Sequence, residues 1–418
     1  MWRLSMQEKQ HIAVIGAGII GLCNSKSLTD AGFSVTLFDE HGIAEKCSKG
    51  NAGHFATEQV FPLAQASLLP KLPSMLLNPK GALIIDWLYL FKALPWFTRF
   101  LINMSKSKFS AHIKALRQLN EASLPAYKNL LGAENFKKLI HVDGSLLTFE
   151  HEDFKLAASM AESFRSNGVA VEHLKGEEVF LLEPSLTKNI KQALYFTEVG
   201  HSVDPYDLCQ AIYKMSEAQG LVFKKDKVAR IVPNNNGVMI ELVSGSKHQF
   251  AKVVVSTGAW SKPLARQLGF KVPIDTERGY HAMVDNSTCL KRPVASADRQ
   301  FIITPMKQGL RLAGTVEFAG LEAAENMTRA TMLLDHAKSL VNGIEKQTVK
   351  TTWMGHRPSL PDSLPVLNTA PNNKNIVFAF GHQHLGLTQA AITAQIVSQL
   401  CLGEETSIDL TPYRIDRF

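Results

Sequence analysis

One run constrains this 418-residue chain more than any other: His11-Ile12-Ala13-Val14-Ile15, followed at once by Gly16-Ala17-Gly18-Ile19-Ile20-Gly21. The first five residues read as a short buried strand, and a helical stretch to Ala31 follows the glycines. Gly32 stands where a helix ends in the left-handed conformation that glycine adopts most cheaply. A second strand, Ser34–Phe38, then ends at Asp39-Glu40. This βαβ opening sets the fold class as α/β, with a Rossmann-like domain. GxGxxG alone is a weak signal; the flanking strand and helix give it meaning. Gly16, Gly18 and Gly21 allow a tight turn, close approach to a pyrophosphate, and close packing of helix on strand. Ile19 and Ile20 begin a helix whose free N–H groups and dipole bind the anion. Asp39 or Glu40 accepts from ribose hydroxyls, and no Arg at that strand end favours a 2′-phosphate.

Nicotinamide enzymes usually complete a contiguous six-stranded unit, whereas a long insertion interrupts this one early. Two further strand–glycine–helix units come much later, at Thr257-Gly258-Ala259 and Gly381–Gly386. A large dinucleotide stretched across the sheet needs such late contacts, which points to FAD. Tyr280–Asp285, Phe301–Thr304 and Leu310–Val316 read as strands of an antiparallel sheet, the material of a second, substrate-covering domain. The expected division assigns 10–61, 151–275 and 352–418 to the FAD-binding domain. The pieces 62–150 and 276–351 become a helical insertion and the substrate domain. At 45% hydrophobic and 20% charged, the chain has an ordinary globular composition, which excludes disordered, collagen-like and coiled-coil classes. Cys23, Cys47, Cys209, Cys289 and Cys401 never form a CxxC, so neither a disulfide framework nor a metal site is expected. No stretch is read as reaching the roughly 18 apolar residues of a membrane span, and no secretory signal is seen. A cytoplasmic location is the expectation.

Further stretches carry a resemblance. They are Ser48-Lys49-Gly50-Asn51-Ala52-Gly53-His54, Leu182-Glu183-Pro184, Gly200-His201-Ser202-Val203-Asp204-Pro205, Arg357-Pro358-Ser359-Leu360-Pro361-Asp362 and Gly381-His382-Gln383-His384-Leu385-Gly386-Leu387-Thr388. With the first glycine turn, they make the chain resemble the FAD-dependent D-amino-acid oxidase superfamily, and within it the bacterial D-amino-acid dehydrogenase branch, over nearly its whole length. The resemblance implies a Rossmann-like FAD-binding domain with an antiparallel-sheet substrate domain. It places Ser48, Gly50, Asn51, Ala52 and Gly53 in a flavin-proximal turn, with further cofactor contacts at Val228, Thr257 and Gly258. It makes Gly381, His382, Leu385, Gly386, Leu387 and Thr388 a flavin-facing element. Physically, a helix starting near Leu387 points its positive end outward and stabilises the negative charge of a reduced flavin.

For chemistry, the resemblance makes Arg357 the anchor of a substrate carboxylate, a task suited to a guanidinium fork. Tyr280 is expected to close the pocket, with Glu317 a further candidate. His54 and His384 are expected to orient the substrate amine; much of the branch carries a small residue or Thr where His384 stands. The implied reaction is hydride transfer from Cα to flavin N5, giving an imino acid that water hydrolyses. Expected substrates are a D-amino acid or a cyclic, D-proline-like or D-hydroxyproline-like one, with a quinone or electron-transfer chain as acceptor. The alternative is a glycine- or sarcosine-type amine oxidase using O₂.

Charge is unevenly placed. The net charge is +7, and residues 60–120 alone hold eight Lys and Arg against Asp86. Within 83–101, Leu88, Phe91, Leu94, Phe97 and Phe100 recur at helical spacing beside Lys92 and Arg99, and Pro95 is expected to break or kink the helix. One account is a core helix with a solvated basic face. The other is a patch within 62–117 that docks peripherally on the inner face of an anionic membrane. No nucleic-acid motif accompanies the charge, so no nucleic-acid partner is expected.

Overall fold

A computed structural model describes residues 9–71, 81 and 83–418. The strand His11–Ile15 lies at the centre of a six-stranded sheet, flanked by Ser34–Phe38 on one side and Lys252–Val255 on the other, both parallel to it. Val222–Lys224 extends one edge; Asn373–Phe380 and the antiparallel Val366–Ala370 extend the other. Three of these strands come from beyond residue 250, so the nucleotide fold is assembled from distant pieces. The central strands are apolar at nearly every position because both sheet faces are covered. On one side pack the helices Ile19–Asp30 and Gly386–Leu402, with Lys106–Leu139 and Pro205–Glu217 outside them. On the other packs a small antiparallel sheet of Val228–Asn234, Gly237–Leu242 and Lys247–Phe250. The turn Asn234–Gly237 joins Val228–Asn234 to Gly237–Leu242.

A nine-stranded sheet forms the second layer. Its path runs Thr351–Ser359, Asp275–Val284, Gly309–Phe318, Phe301–Met306, Val294–Ser296, Ser145–Phe149, Gln192–Phe196 and Val171–Lys175; Leu83–Ile85 pairs beside Gly309–Phe318. The boundary expected at 150/151 therefore moves, since Val171–Lys175 and Gln192–Phe196 belong to this sheet and not to the nucleotide sheet. Gln192–Phe196 lies between Ser145–Phe149 and Val171–Lys175, and alternating side chains from all three feed one apolar cluster around Phe149, Phe164 and Phe196.

Two other expectations are corrected. Gln383–Leu402 is long and apolar enough to cross a bilayer, yet 67% of it is buried between the sheet and neighbouring helices, as befits a core helix. The helix Trp87–Asn103 runs through Pro95 without ending. Pro95 is exposed, so the Phe91 carbonyl that loses its donor faces water, which removes most of the penalty. Of the basic segment, residues 72–80 and 82 lie outside the described residues.

Candidate active site

The two layers meet over one elongated cavity. One end is walled by Glu40, His41, Lys227, Val228 and Ala229; the middle by Gly16, Gly18, Ile19, Ile20, Asp39, Thr257 and Gly258; the other end by Ser48, Asn51, Trp260, Gly381, His382, Gln383, Gly386 and Leu387. Each glycine of the first turn has a separate physical task. Gly16 sits at φ +101°, and a Cβ there would lie 2.5 Å from the Ser256 carbonyl oxygen. A Cβ on Gly21 would lie 1.7 Å from the Gly16 carbonyl oxygen, so Gly21 serves packing and does not line the cavity. Gly18 faces the cavity, beside the Ser48 hydroxyl that accepts the Ile19 N–H at 2.8 Å. Asp39 accepts from the N–H groups of Ala17 (2.8 Å), His41 (2.8 Å) and Gly42 (3.1 Å), which fixes its carboxylate beside the glycine turn. A carboxylate has about four lone-pair sites, so Asp39 keeps capacity for a hydroxyl donor. Glu40 is engaged by Lys227 at 3.1 Å.

The Ser48–Gly53 loop is clamped from the second layer. Buried Arg311 donates to the Asn51 carbonyl at 2.5 Å and the Lys49 carbonyl at 3.2 Å. His281 Nδ1 donates to the Gly50 carbonyl at 2.9 Å, and its ring stacks on Trp353 with centroids 5.1 Å apart. Trp353 lies so close that a Cβ on Gly50 would come within 2.2 Å of its ring. Gly50, Ala52 and Gly53 thus shape the loop without lining the cavity. Leu385 is likewise core, and the Thr388 hydroxyl is taken by the Ala56 N–H at 2.9 Å. His382 hydrogen-bonds Thr393 at 3.0 Å, and burial pushes its pKa down to about 3.

Beyond the Gln383 end lies a polar group of side chains. Arg357 is deep in the protein yet partly accessible, so it opens onto internal space. Its Nη1 donates to the Thr315 carbonyl at 3.2 Å, its one hydrogen bond among the described residues, which leaves most of its five donors uncommitted. Glu277, opposite it in register, keeps a counter-charge near but bonds the Ser359 hydroxyl. Thr315 at φ +60° and Gln383 at φ +49° hold conformations that non-glycine residues seldom adopt, both beside this group. Around Arg357 stand His384, whose pKa is pushed to about 4 by burial and by the Arg357 charge, and the His54–Glu58 pair at 2.8 Å.

Tyr280 is a correction. Asp275–Val284 is pleated, and Glu277, Gly279 and His281 face the cavity side, where Gly279 forms the bare floor under the Arg357 guanidinium. Tyr280 points the other way and is 1% exposed; its hydroxyl bonds Glu317, with the Asn326 N–H at 3.3 Å. Arg278 joins that cluster and holds the carbonyls of Gly320, Ala323 and Ala324. Tyr280 and Glu317 brace the sheet.

Neutral histidines around the cavity tie stability to pH. The native pKa values of His281 and His382 are both about 3, below the unfolded value near 6.5. Unfolding therefore takes up protons below pH 6.5, and stability is lost as pH falls from about 6.5 toward 3. Each contributes up to about 1.4 kcal/mol per pH unit in that window. The urea midpoint should drop steeply between about pH 7 and pH 5; a flat profile contradicts the buried neutral state of these rings.

Glycine turn, late helix termini and a covering antiparallel sheet together define a flavoprotein oxidoreductase. The chain belongs to the FAD dependent oxidoreductase family (DAO), which matches residues 11–400. It is 34% identical over 99% of its length to the whole of a D-amino-acid oxidase from Bradyrhizobium diazoefficiens. A D-amino acid dehydrogenase from Paramagnetospirillum magneticum matches at 27% identity, over 97% of this chain and 98% of that protein. The structure of glycine oxidase from Geobacillus kaustophilus superimposes with a TM-score of 0.76 at 20% identity, covering 98% of this chain and 100% of that one. The chain is thus an FAD-dependent oxidoreductase, and the residues fit the cofactor. The Gly16–Gly21 turn and the helix start at Ile19 offer a pyrophosphate site. The Gly386–Leu402 helix starts at the far end of the cavity. Lys227, Trp260, Arg311 and Trp353 complete the site without belonging to a local pattern that a sequence shows, and Gln383 joins them from within the Gly381–Thr388 run.

Proposed function

We propose that the chain oxidises a D-amino acid, including cyclic, D-proline-like ones, and passes the electrons to a membrane quinone or electron-transfer chain. The observation that carries this reading is the Arg357 guanidinium, largely uncommitted and facing internal space beyond the cofactor cavity. Such a fork binds a carboxylate bidentately and fixes the orientation of Cα. Bound FAD supplies the hydride acceptor. His384, neutral at pH 7, can accept a hydrogen bond from the substrate amine, and the ring of His54 is held by Glu58. The relatives' names, D-amino-acid oxidase and D-amino acid dehydrogenase, support the substrate class and leave two acceptors. The second reading, a glycine- or sarcosine-type oxidase using O₂, is favoured by the likeness to glycine oxidase.

A quinone acceptor is supported by the surface. On the helix Trp87–Asn103, Ala93, Trp96, Phe97 and Phe100 pack inward, Trp96 lying 5.2 Å from Phe318. Leu88 is 86%, Phe91 76% and Trp87 66% exposed, next to exposed Lys92, Arg99, Lys106 and Lys108. An apolar face rimmed by cations suits an anionic lipid surface. The test mixes purified protein anaerobically with D-, L- and N-methyl amino acids and watches the flavin bleach. Reoxidation by a quinone dye, with little peroxide in air, is expected; peroxide at matching rates favours the oxidase reading. Cosedimentation with anionic vesicles at low salt, lost at high salt or in Phe91→Glu, is expected; protein that stays in the supernatant refutes the docking.

A further inference from the structure

The three-stranded sheet of His54–Phe55, Gly200–Ser202 and Ile140–His141 does something its size does not require. Its register sets His54 opposite His201 and His201 opposite His141. Directly opposed residues of antiparallel strands point to one face, with Cβ atoms roughly 5 Å apart. Three imidazoles therefore stand in a row. The surface end differs from the rest: His141 is exposed, whereas His201 is 3% exposed and the His54 side chain 11%. At the inner end, His54 bonds Glu58, and both lie beside His384 in the Arg357 group. At the outer end, the rings of His201 and His141 meet edge-on at 5.4 Å and line a surface cleft with Asp143, Arg292 and Lys307.

The row is also chemically open. His54 Nδ1, Glu58 Oε2 and His201 Nδ1 are buried and have no hydrogen-bond partner among the described residues. Buried polar atoms left bare cost stability, so three in one line call for an explanation. We propose that the row His54–His201–His141 conducts the proton released by the substrate amine out to the surface cleft.

The inference rests on the proposed amino-acid oxidation. An amino acid arrives near neutral pH as an ammonium, and Cα–H cannot leave as hydride until nitrogen has a free lone pair. One N–H bond of the ammonium breaks, its electron pair stays on nitrogen, and the proton passes to the His54–Glu58 pair. Bound FAD would supply the acceptor for the Cα–H pair as hydride, leaving the substrate an iminium. The proton moves from His54 to His201, directly or through one water, and on to exposed His141. Asp143 and Arg292 also face His201, and Arg357 faces His384; burial, His141 and His54 keep His201 neutral at rest, so it is reset after each transfer.

Stopped-flow anaerobic reduction of the holoenzyme by a D-amino acid, with an indicator dye reporting protons in weak buffer, tests this. In His201→Gln, flavin reduction and proton release should slow together by roughly 10- to 100-fold at neutral pH, within the range for a lost proton-transfer group. The defect should fade above the amine's own pKa, where no proton needs export, and added imidazole should restore the rate. His141→Ala, at an exposed position where folding is not at stake, should show a smaller defect with the same pH signature. Wild-type rates and proton release in both variants overturn the row, as does a loss that is constant with pH and deaf to imidazole. A wild-type protein that no D-amino acid bleaches overturns the oxidation reading and the row with it.

Discussion

Arg357→Ala will cut kcat/KM for a D-amino acid by at least about 100-fold, while an amine lacking the carboxylate loses almost nothing. Truncating one partner of a desolvated, hydrogen-bonded charge pair costs about 2–5 kcal/mol, and each 1.4 kcal/mol is tenfold. The upper part of that range is expected because the arginines on the neighbouring strands, Arg278 and Arg311, are already engaged. Arg278 is fully buried and holds three carbonyls of the 320–324 loop, and Arg311 holds the Lys49 and Asn51 carbonyls. Arg357→Lys should recover only part of the loss, since a point charge lacks the fork. Gly279→Ala should mimic the defect more weakly, because its Cβ would sit 2.2 Å from Arg357 Nη2 and push the fork off its floor. The check is anaerobic flavin bleaching with matched pairs of amino acid and decarboxylated amine. Near-native kcat/KM for the amino acid, or equal losses for both members of a pair, removes Arg357 as the carboxylate anchor.

The contrast between Arg357 and Tyr280 shows what a sequence can carry. Both sit in strands of the second layer, and both lie in recognisable runs. Alternation reveals that Gly279 and Tyr280 face opposite sides of Asp275–Val284, but not which side meets the cofactor. That depends on how the two sheets stack, a fact made by contacts hundreds of residues apart. The Gly16–Gly21 turn was legible because strand, turn, helix and acid follow one another within thirty residues, and local chemistry decides each. The same runs contain residues that build the site without lining it. Gly21, Gly50 and Leu385 are there so that neighbours can approach, and the Thr388 hydroxyl ties the late helix to Ala56. Arg311 and Trp353, which clamp the Ser48–Gly53 loop, have no local signature at all. Their positions follow from register, Arg311 opposing Met283 and Trp353 opposing His281 across the same strand. Likewise the helix Trp87–Asn103 carries apolar residues almost all round; only packing tells that Phe97 and Phe100 turn inward while Leu88 and Phe91 do not.

Gly21→Ala should yield a protein that neither holds FAD nor folds stably. The added Cβ would lie 1.7 Å from the Gly16 carbonyl oxygen, a separation no pair of non-bonded atoms tolerates. Relief requires the turn or the helix to move, and neither has room. Gly16 is pinned at φ +101° against Ser256, its N–H donating to the Phe38 carbonyl at 2.8 Å. The helix Ile19–Asp30 is wedged against the Gly386–Leu402 helix in the main core. A methyl group here therefore prises the helix off the central strand, with a cost above about 4 kcal/mol, the range of outright core disruption. Gly18→Ala makes the informative comparison. Its Cβ would meet only the Ser48 hydroxyl, at 3.2 Å, a side-chain atom that needs to give by only a few tenths of an ångström and can keep accepting the Ile19 N–H. That variant should keep its melting temperature without cofactor yet bind FAD more weakly, because its methyl intrudes where the turn faces the cavity. Flavin-to-protein absorbance ratios and melting curves with and without added FAD separate the two. If Gly21→Ala is recovered yellow, with wild-type occupancy and melting temperature, the turn does not pack as described; if Gly18→Ala binds FAD as tightly as the wild type, the pyrophosphate does not lie against it.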